Sequence, residues 1–349
     1  MDQIKDYLKV LELISEPAFT VQDGKVQLCN RAATACLVEP GTDILSLLAT
    51  GQEEYAQLTD GCLSLRLKLH GKACGATVSR LQGRDLFRLE QEEVPAEIKA
   101  MALMSAQLRY PVSTLSVLAS TQLSDSPAAP SFRQELSRIL RLLNNATNTD
   151  HYLAKPVSVL EVRDVCAILR EILEEADTLL SHVPLLLDAD LPTQKIFAPV
   201  DEHGLRQAMY NLLSNAAKFS PAGSTIKVQA TASRTLLRIS VTDQGEGVPV
   251  AQQAGLFNRF SRQPGIEEGR QNLGLGMALV KAAASAHGGT VLVDTPEGKG
   301  TRVTMTLSVK SPARDLLRAP NPMQIIRSPD EGLIMLSDVL PTELFSPKN

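Results

Sequence analysis

The segment Asn211-Leu-Leu-Ser-Asn215-Ala-Ala-Lys218-Phe-Ser-Pro decides the reading of this 349-residue chain. At helical spacing Asn211, Asn215 and Lys218 fall at i, i+4 and i+7 on one face, while Leu205, Ala208, Leu212 and Ala216 form a separate apolar face. Two amides and an ammonium on one stripe suit a hard cation beside a phosphate chain. The same stripe is also what an ordinary solvated helix face looks like, so alone it decides nothing. Three glycine clusters follow it in order: Asp243-Gln-Gly245-Glu-Gly247, Asn272-Leu-Gly274-Leu275-Gly276 and Gly298-Lys-Gly300-Thr301. A strand through Leu237, Ile239 and Val241 puts Asp243 at the end of an apolar face, where a carboxylate needs a partner. A plain Asp-Gly turn is the alternative there. Gly274-Leu-Gly276 opens an apolar helix, Met277 to His287, whose free N-terminal amides suit phosphate.

Four such boxes in this order across about a hundred residues resemble the nucleotide-binding domain of sensor histidine kinases, within the wider gyrase, chaperone and mismatch-repair ATPase superfamily. The resemblance implies ATP and Mg²⁺ as cofactors, Asn215 as the Mg²⁺ ligand, Lys218 on phosphate and Asp243 on the adenine amine. It places Gly245 and Gly247 close to the base and Thr301 in the closing box. Leu256-Phe257-Asn-Arg259-Phe260-Ser-Arg262 resembles the family's F box, and residues 263–272 its lid. One departure stands out, because Gln271 and Asn272 replace the glycine pair that usually begins the second glycine cluster. Asn211 occupies the position where ATP-hydrolysing members carry a general-base glutamate, and an amide cannot take a proton. That favours the kinase branch.

The fold class expected is multidomain α+β. Residues 1–92 open with an amphipathic helix (Ile4, Leu8, Leu11, Ile14). A hairpin follows through the turn Gln22-Asp-Gly24-Lys25, then short helices and three antiparallel strands. This order resembles a PAS sensor domain. Residues 93–155 carry two heptad stripes: Ile98, Met101, Ser105, Leu108, Val112, Leu115, Ala119, Gln122, and Phe132, Leu136, Ile139, Leu143, Ala146, Asp150, Leu153. A lone helical hairpin leaves its seam half covered, so a homodimer forming a four-helix bundle is expected through residues 93–155. Residues 156–310 predict an α/β sandwich, with a helix over Val162–Ser181 and strands near 184–187, 226–230, 236–241, 291–293 and 303–307. In the tail, 311–349, the run Gly332-Leu-Ile-Met-Leu-Ser-Asp-Val-Leu-Pro is too apolar for a plain disordered end.

Ser105-Ala106-Gln107-Leu-Arg-Tyr110-Pro-Val resembles the family's phosphoacceptor box, its register fixed by Leu108, Arg109 and Pro111. The family expects histidine, then an acid, then threonine or asparagine three residues on. Here these are Ala106, Gln107 and Tyr110. A methyl group cannot attack phosphorus and glutamine cannot deprotonate a neighbour. His70, His151, His182, His203 and His287 each read more naturally as structural. Ser105 and Thr114 have hydroxyls near the box but no adjacent base.

Net charge is -4, which argues against a general nucleic-acid binder, and no apolar run approaches the roughly 20 residues of a membrane span. Five cysteines at 29, 36, 62, 74 and 166 lack metal spacing and read as reduced thiols, so the expectation is a cytoplasmic protein. Three functions stay open. The first is a degenerate sensor kinase that binds ATP and signals by conformation to a response regulator or partner kinase. The second is an active kinase using another acceptor or a partner in trans. The third is a dimeric scaffold with a vestigial pocket.

Overall fold

The computed structural model describes residues 8–81, 83–90, 96–123, 126–154, 160–257, 274–296, 299–309 and 330–346. Among them the chain forms strands β1 (Ala18–Gln22) and β2 (Lys25–Cys29), helices α1 (Arg31–Ala35), α2 (Ile44–Leu47) and α3 (Gln52–Gln57), and strands β3 (Gly61–Leu69), β4 (Lys72–Leu81) and β5 (Arg84–Leu89). Two long helices follow, α4 (Ala96–Gln122) and α5 (Ala129–Ala154). Then come β6 (Glu161–Asp164), α6 (Val165–Leu180), β7 (Leu185–Asp190), β8 (Phe197–Val200), α7 (Glu202–Phe219), β9 (Ser224–Ala232) and β10 (Leu236–Thr242). The last elements are α8 (Val250–Gln253), a 3₁₀ turn (Ala254–Phe257), α9 (Gly276–Ala286), β11 (Val291–Asp294), β12 (Arg302–Ser308), α10 (Glu331–Met335) and a second 3₁₀ turn (Thr342–Phe345).

The local sequence accounts for the N-terminal strands. Asp23 and Gly24 both take positive φ, 51° and 73°, the two-residue turn whose twist matches its strands. Asn30 caps α1 and is buried with its amide satisfied: Oδ1 accepts from Ala18 and Ala33 amides, and Nδ2 donates to the Ile14 and Glu16 carbonyls. Among the described residues the N-terminal helix runs over 8–12, so Ile14 lies beyond it, and Ile4 lies outside the described residues. Phe19 and Phe87 stack with centroids 4.9 Å apart at the centre of this half.

The C-terminal half is a layer of β7, β9, β10, β12 and β11, in which β7 and β9 run parallel and the remaining pairs antiparallel, covered by α6, α7 and α9. The five strands read from sequence all form. The helix expected over Val162–Ser181 forms but starts later: residues 161–164 are a strand paired with β8. Asp164 ends it, its Oδ1 accepting from the amides of Cys166 and Ala167, so the helix begins at Val165. Neither four-residue strand was read from the sequence. The two halves share one ten-stranded sheet, because β3 pairs antiparallel with β11 from Cys62–Val293 to Ser64–Val291.

The hairpin of α4 and α5 covers part of the expected seam. Ser105, Ala119, Leu136 and Ala146 are buried as read, but Leu108 and Leu115 are 50% and 47% exposed. Phe132 and Ile139, assigned to the α5 stripe, are 43% and 42% exposed. The buried face of α5 instead carries Arg133, Gln134, Arg141 and Asn145, because α9 and the C-terminal residues 330–346 pack there. Ile98, Asp150 and Leu153 have no described side chains. Among the described residues no helix is long and apolar enough to cross a membrane, and all five cysteines are free.

Candidate functional site

Helix α7 starts where Asp201 accepts from the Gly204 amide at 3.2 Å, with Glu202 in its first turn and Lys218 in its last, charges that suit the helix dipole. Leu205, Met209, Leu212 and Leu213 anchor one face in the core, which leaves the polar stripe directed across the layer. Asn211 is 1% exposed. Its Nδ2 donates to the Gln207 carbonyl at 3.0 Å, and a Cβ built on Gly276 would stand 3.1 Å from its Oδ1. Asn211 thus faces the start of α9. Asn215 and Lys218, one and two turns further on, are half-buried, and the Lys218 ammonium lies 5.4 Å from the Phe219 ring centroid.

Asp243 closes the apolar face of β10 as the alternation of Leu237, Ile239 and Val241 requires. It is 9% exposed, and its Oδ1 accepts from the amides of Gly245 at 2.9 Å and Thr301 at 3.0 Å. Burial pushes the carboxyl above its ordinary range, against the hydrogen bonds from Gly245 and Thr301. A side chain at Gly245 would put its Cβ 2.5 Å from the Phe219 carbonyl, so this loop closes directly onto the end of α7. The Asp243 amide donates to the Thr301 carbonyl and the Gly300 amide to the Gly245 carbonyl, both at 2.9 Å. Gly247 reaches the same turn: its Cβ would stand 2.8 Å from the Gly300 carbonyl. The first and last glycine clusters are therefore laced together, with Asp243 at the junction.

Gly274 takes φ 64° and Leu275 occupies the N-cap position of α9 without a side-chain cap. The first turn of α9 therefore presents its amides to the space beside Asn211. Phe257 is buried, with the Lys281 ammonium 5.6 Å from its ring centroid. Phe260, Gln271, Asn272 and Gly298 lie outside the described residues.

Two supporting residues escaped the sequence reading. His287, expected only to pack, accepts the Asp201 amide on Nε2 at 2.9 Å while Nδ1 lies 2.7 Å from the Ala283 carbonyl. It holds the start of α7 against the end of α9 as a neutral ring, and burial lowers its pKa. Lys281 pairs with Glu90 and donates to the Thr77 hydroxyl at 3.3 Å, joining α9 to the N-terminal strands. The alanine-rich helix gave no hint of that partner.

Ala106, Gln107 and Tyr110 are all exposed on α4, Tyr110 by 81%. Ser105 is buried, and the Thr114 hydroxyl donates back to the Tyr110 carbonyl at 3.1 Å. Pro111 sits inside the continuous helix, where it deprives the Gln107 carbonyl of its ladder donor. His70 lies in the β3–β4 turn, His182 contacts the Thr178 carbonyl at 3.1 Å, and His203 is exposed on α7. The side chain of His151 lies outside the described residues.

Residues 200–311 match the family of histidine kinase-, DNA gyrase B-, and HSP90-like ATPases. The chain is 30% identical over 243 residues to the sensor histidine kinase WalK of Bacillus subtilis (strain 168), across 65% of this chain and 39% of that protein. It is 28% identical over 250 residues to the adaptive-response sensory kinase SasA of Gloeothece citriformis (strain PCC 7424), across 64% of this chain and 62% of that one. It thus spans less than two thirds of either relative. Among solved structures, full-length ShkA in complex with AMPPNP aligns at a TM-score of 0.49 with 25% identity, over 62% of this chain and 47% of that one. The sequence similarity runs to histidine kinases, and the ATPase match spans α7 to α9 and β9 to β12, the part of the layer around Asp243.

Proposed function

We propose that this chain is a sensor-kinase-like signalling protein that binds ATP with Mg²⁺ and signals without phosphorylating the family's usual histidine. In this reading residues 1–92 are a PAS-like sensor, 93–155 the dimerisation hairpin, 156–310 the ATP-binding domain and 311–349 a C-terminal tail. Asp243 carries the reading. It is a buried carboxyl positioned by two backbone amides, at the end of a strand and against the last turn of α7, with its pKa raised by burial.

The residues fit the nucleotide and metal. Gly245 lets the Asp243 loop close onto the Phe219 carbonyl and Gly276 lets the start of α9 approach Asn211, and the half-buried stripe of Asn215 and Lys218 borders the same loop. Asn215 would hold Mg²⁺ through its amide oxygen, Lys218 would contact phosphate, and the α9 amides after Gly274 and Leu275 would contact it as well. Gly247 and Thr301 would fix the Asp243 loop, Phe257 and Phe260 would flank the lid, and Asp243 would accept from the adenine amine. Bound ATP would supply a phosphoryl group. Ala106 offers no nucleophile to receive it, and Asn211 offers no base to activate water. Nucleotide would then bias the arrangement of the hairpin, which a response regulator or partner kinase reads.

The test is incubation with γ-labelled ATP and Mg²⁺ followed by a denaturing gel, alongside thermal melting with and without nucleotide. ATP–Mg²⁺ raises the melting temperature and no label stays on the chain. Acid-labile label would identify another histidine acceptor and overturn the non-phosphorylating reading, and absence of any thermal shift would overturn ATP binding.

A further inference from the structure

We propose that residues 330–346 are an intrachain clamp that fixes the helical hairpin against the ATPase-like layer. The segment lies between two surfaces that also meet directly where α9 packs on α5. On one side α10 packs on α6 and α7, and on the other α10 and the 3₁₀ turn pack on α5. Met335, Leu336, Leu340 and Phe345 are buried in the main core, which explains why the tail is apolar.

The polar contacts are placed to bind both surfaces. Toward the layer, Arg206 on α7 reaches Glu331 at 2.8 Å and Glu175 of α6 at 2.9 Å, and Glu175 in turn accepts the Gly332 amide at 3.0 Å. Toward the hairpin, Gln134 donates to the carbonyls of Ser337 and Leu340 at 3.2 and 2.8 Å and accepts from the Thr342 hydroxyl at 2.7 Å. Arg133 donates to the Phe345 carbonyl at 3.0 Å, and the buried Arg141 pairs with Asp338. A guanidinium buried on α5 with its carboxylate supplied by the tail makes docking all-or-none, since an unpaired charge there is costly. That explains the Arg133, Gln134, Arg141 face of α5, which the heptad stripe leaves without a role.

With the clamp engaged, α5 is tied to α6 and α7 as well as to α9; released, the hairpin keeps its direct packing on α9 but loses its tie to α6 and α7. This device stands on the docking geometry and does not require the nucleotide reading.

Hydrogen–deuterium exchange on the full chain tests it, comparing the parent with Asp338→Arg, which sets a cation against Arg141 and Arg138, and with Leu336→Asp. The expected result is exchange roughly tenfold faster in α5 and in the tail-facing turns of α6 and α7, with β9, β10 and β12 unchanged. Unchanged exchange in α5 would overturn the clamp. Acceleration spread evenly through the sheet would overturn it too, by showing the segment to be ordinary core of the layer.

Discussion

At the scale of the residue, Asp243 separates a structural from a functional role most sharply. Its raised pKa means that the native state favours the neutral carboxyl, so stability falls as pH rises from the unfolded carboxylate value through the folded one. An ordinary turn aspartate would be missed if replaced. Asp243→Asn keeps an oxygen for the Gly245 and Thr301 amides and removes a buried charge. The unliganded variant should match or exceed the parent in urea stability at neutral pH, while ATP affinity drops about 10–100-fold through loss of a charged acceptor for the adenine amine. Equal loss of stability and binding would assign Asp243 to structure alone. His287 has the opposite sign: burial lowers its pKa, so its contribution is full above the ordinary imidazole value of 6.5 and is lost as pH falls below it toward the folded value. His287→Leu should cost about 1–3 kcal/mol at pH 8, where the Asp201 amide loses its acceptor, and the gap to the parent should narrow between pH 6.5 and 5. A gap independent of pH would show that the ring's charge state is immaterial to its role.

Among the elements, α4 carries the segment that resembles a phosphoacceptor box. Its helix is unbroken through Pro111, and positions 106, 107 and 110 all stand exposed on it. If only the reactive groups are missing, Ala106→His with Gln107→Glu should give acid-labile label from γ-labelled ATP where the parent gives none. Failure in a variant that still binds ATP would mean the geometry between box and nucleotide is also lost. The elements also show where sequence was sufficient. Strands β9 to β12 alternate or run apolar and were legible, as was the Asp23-Gly24 turn, because its chemistry is local. β6 and β8 were not: each has four residues, and each is stabilised by the other across more than thirty residues, with Asp164 marking the boundary between strand and helix. The one-face stripe of Asn211, Asn215 and Lys218 and the place of Asp243 at the end of β10 were legible from spacing. Lys281 was not, because its partners Glu90 and Thr77 are reached only through tertiary contact.

For the whole molecule, α4 leaves a long apolar strip uncovered among the described residues. Met104, Leu108, Leu115 and Leu118 follow one another at steps of four, seven and three on α4, all exposed, and Leu103 and Val117 extend the strip. The C-terminal segment has taken the other side of the hairpin, so this strip is what remains for a second copy. Four-helix packing of two hairpins would bury it, as the proposed homodimer requires. The parent should therefore run as a dimer in size-exclusion chromatography with light scattering at micromolar concentration. Leu108→Glu with Leu115→Glu should make it a monomer that keeps the parent's circular dichroism and ATP-induced thermal shift, since neither residue reaches the ATPase-like layer. A dimer surviving both changes would move the interface off α4, and the only comparable exposed apolar residues on the hairpin among those described are Leu123 beside the turn and Phe132 and Ile139 on α5. Monomeric parent protein at every concentration would instead leave any signalling to pass through the single chain, from the N-terminal strands by way of β3, β11 and the Glu90–Lys281 pair into α9.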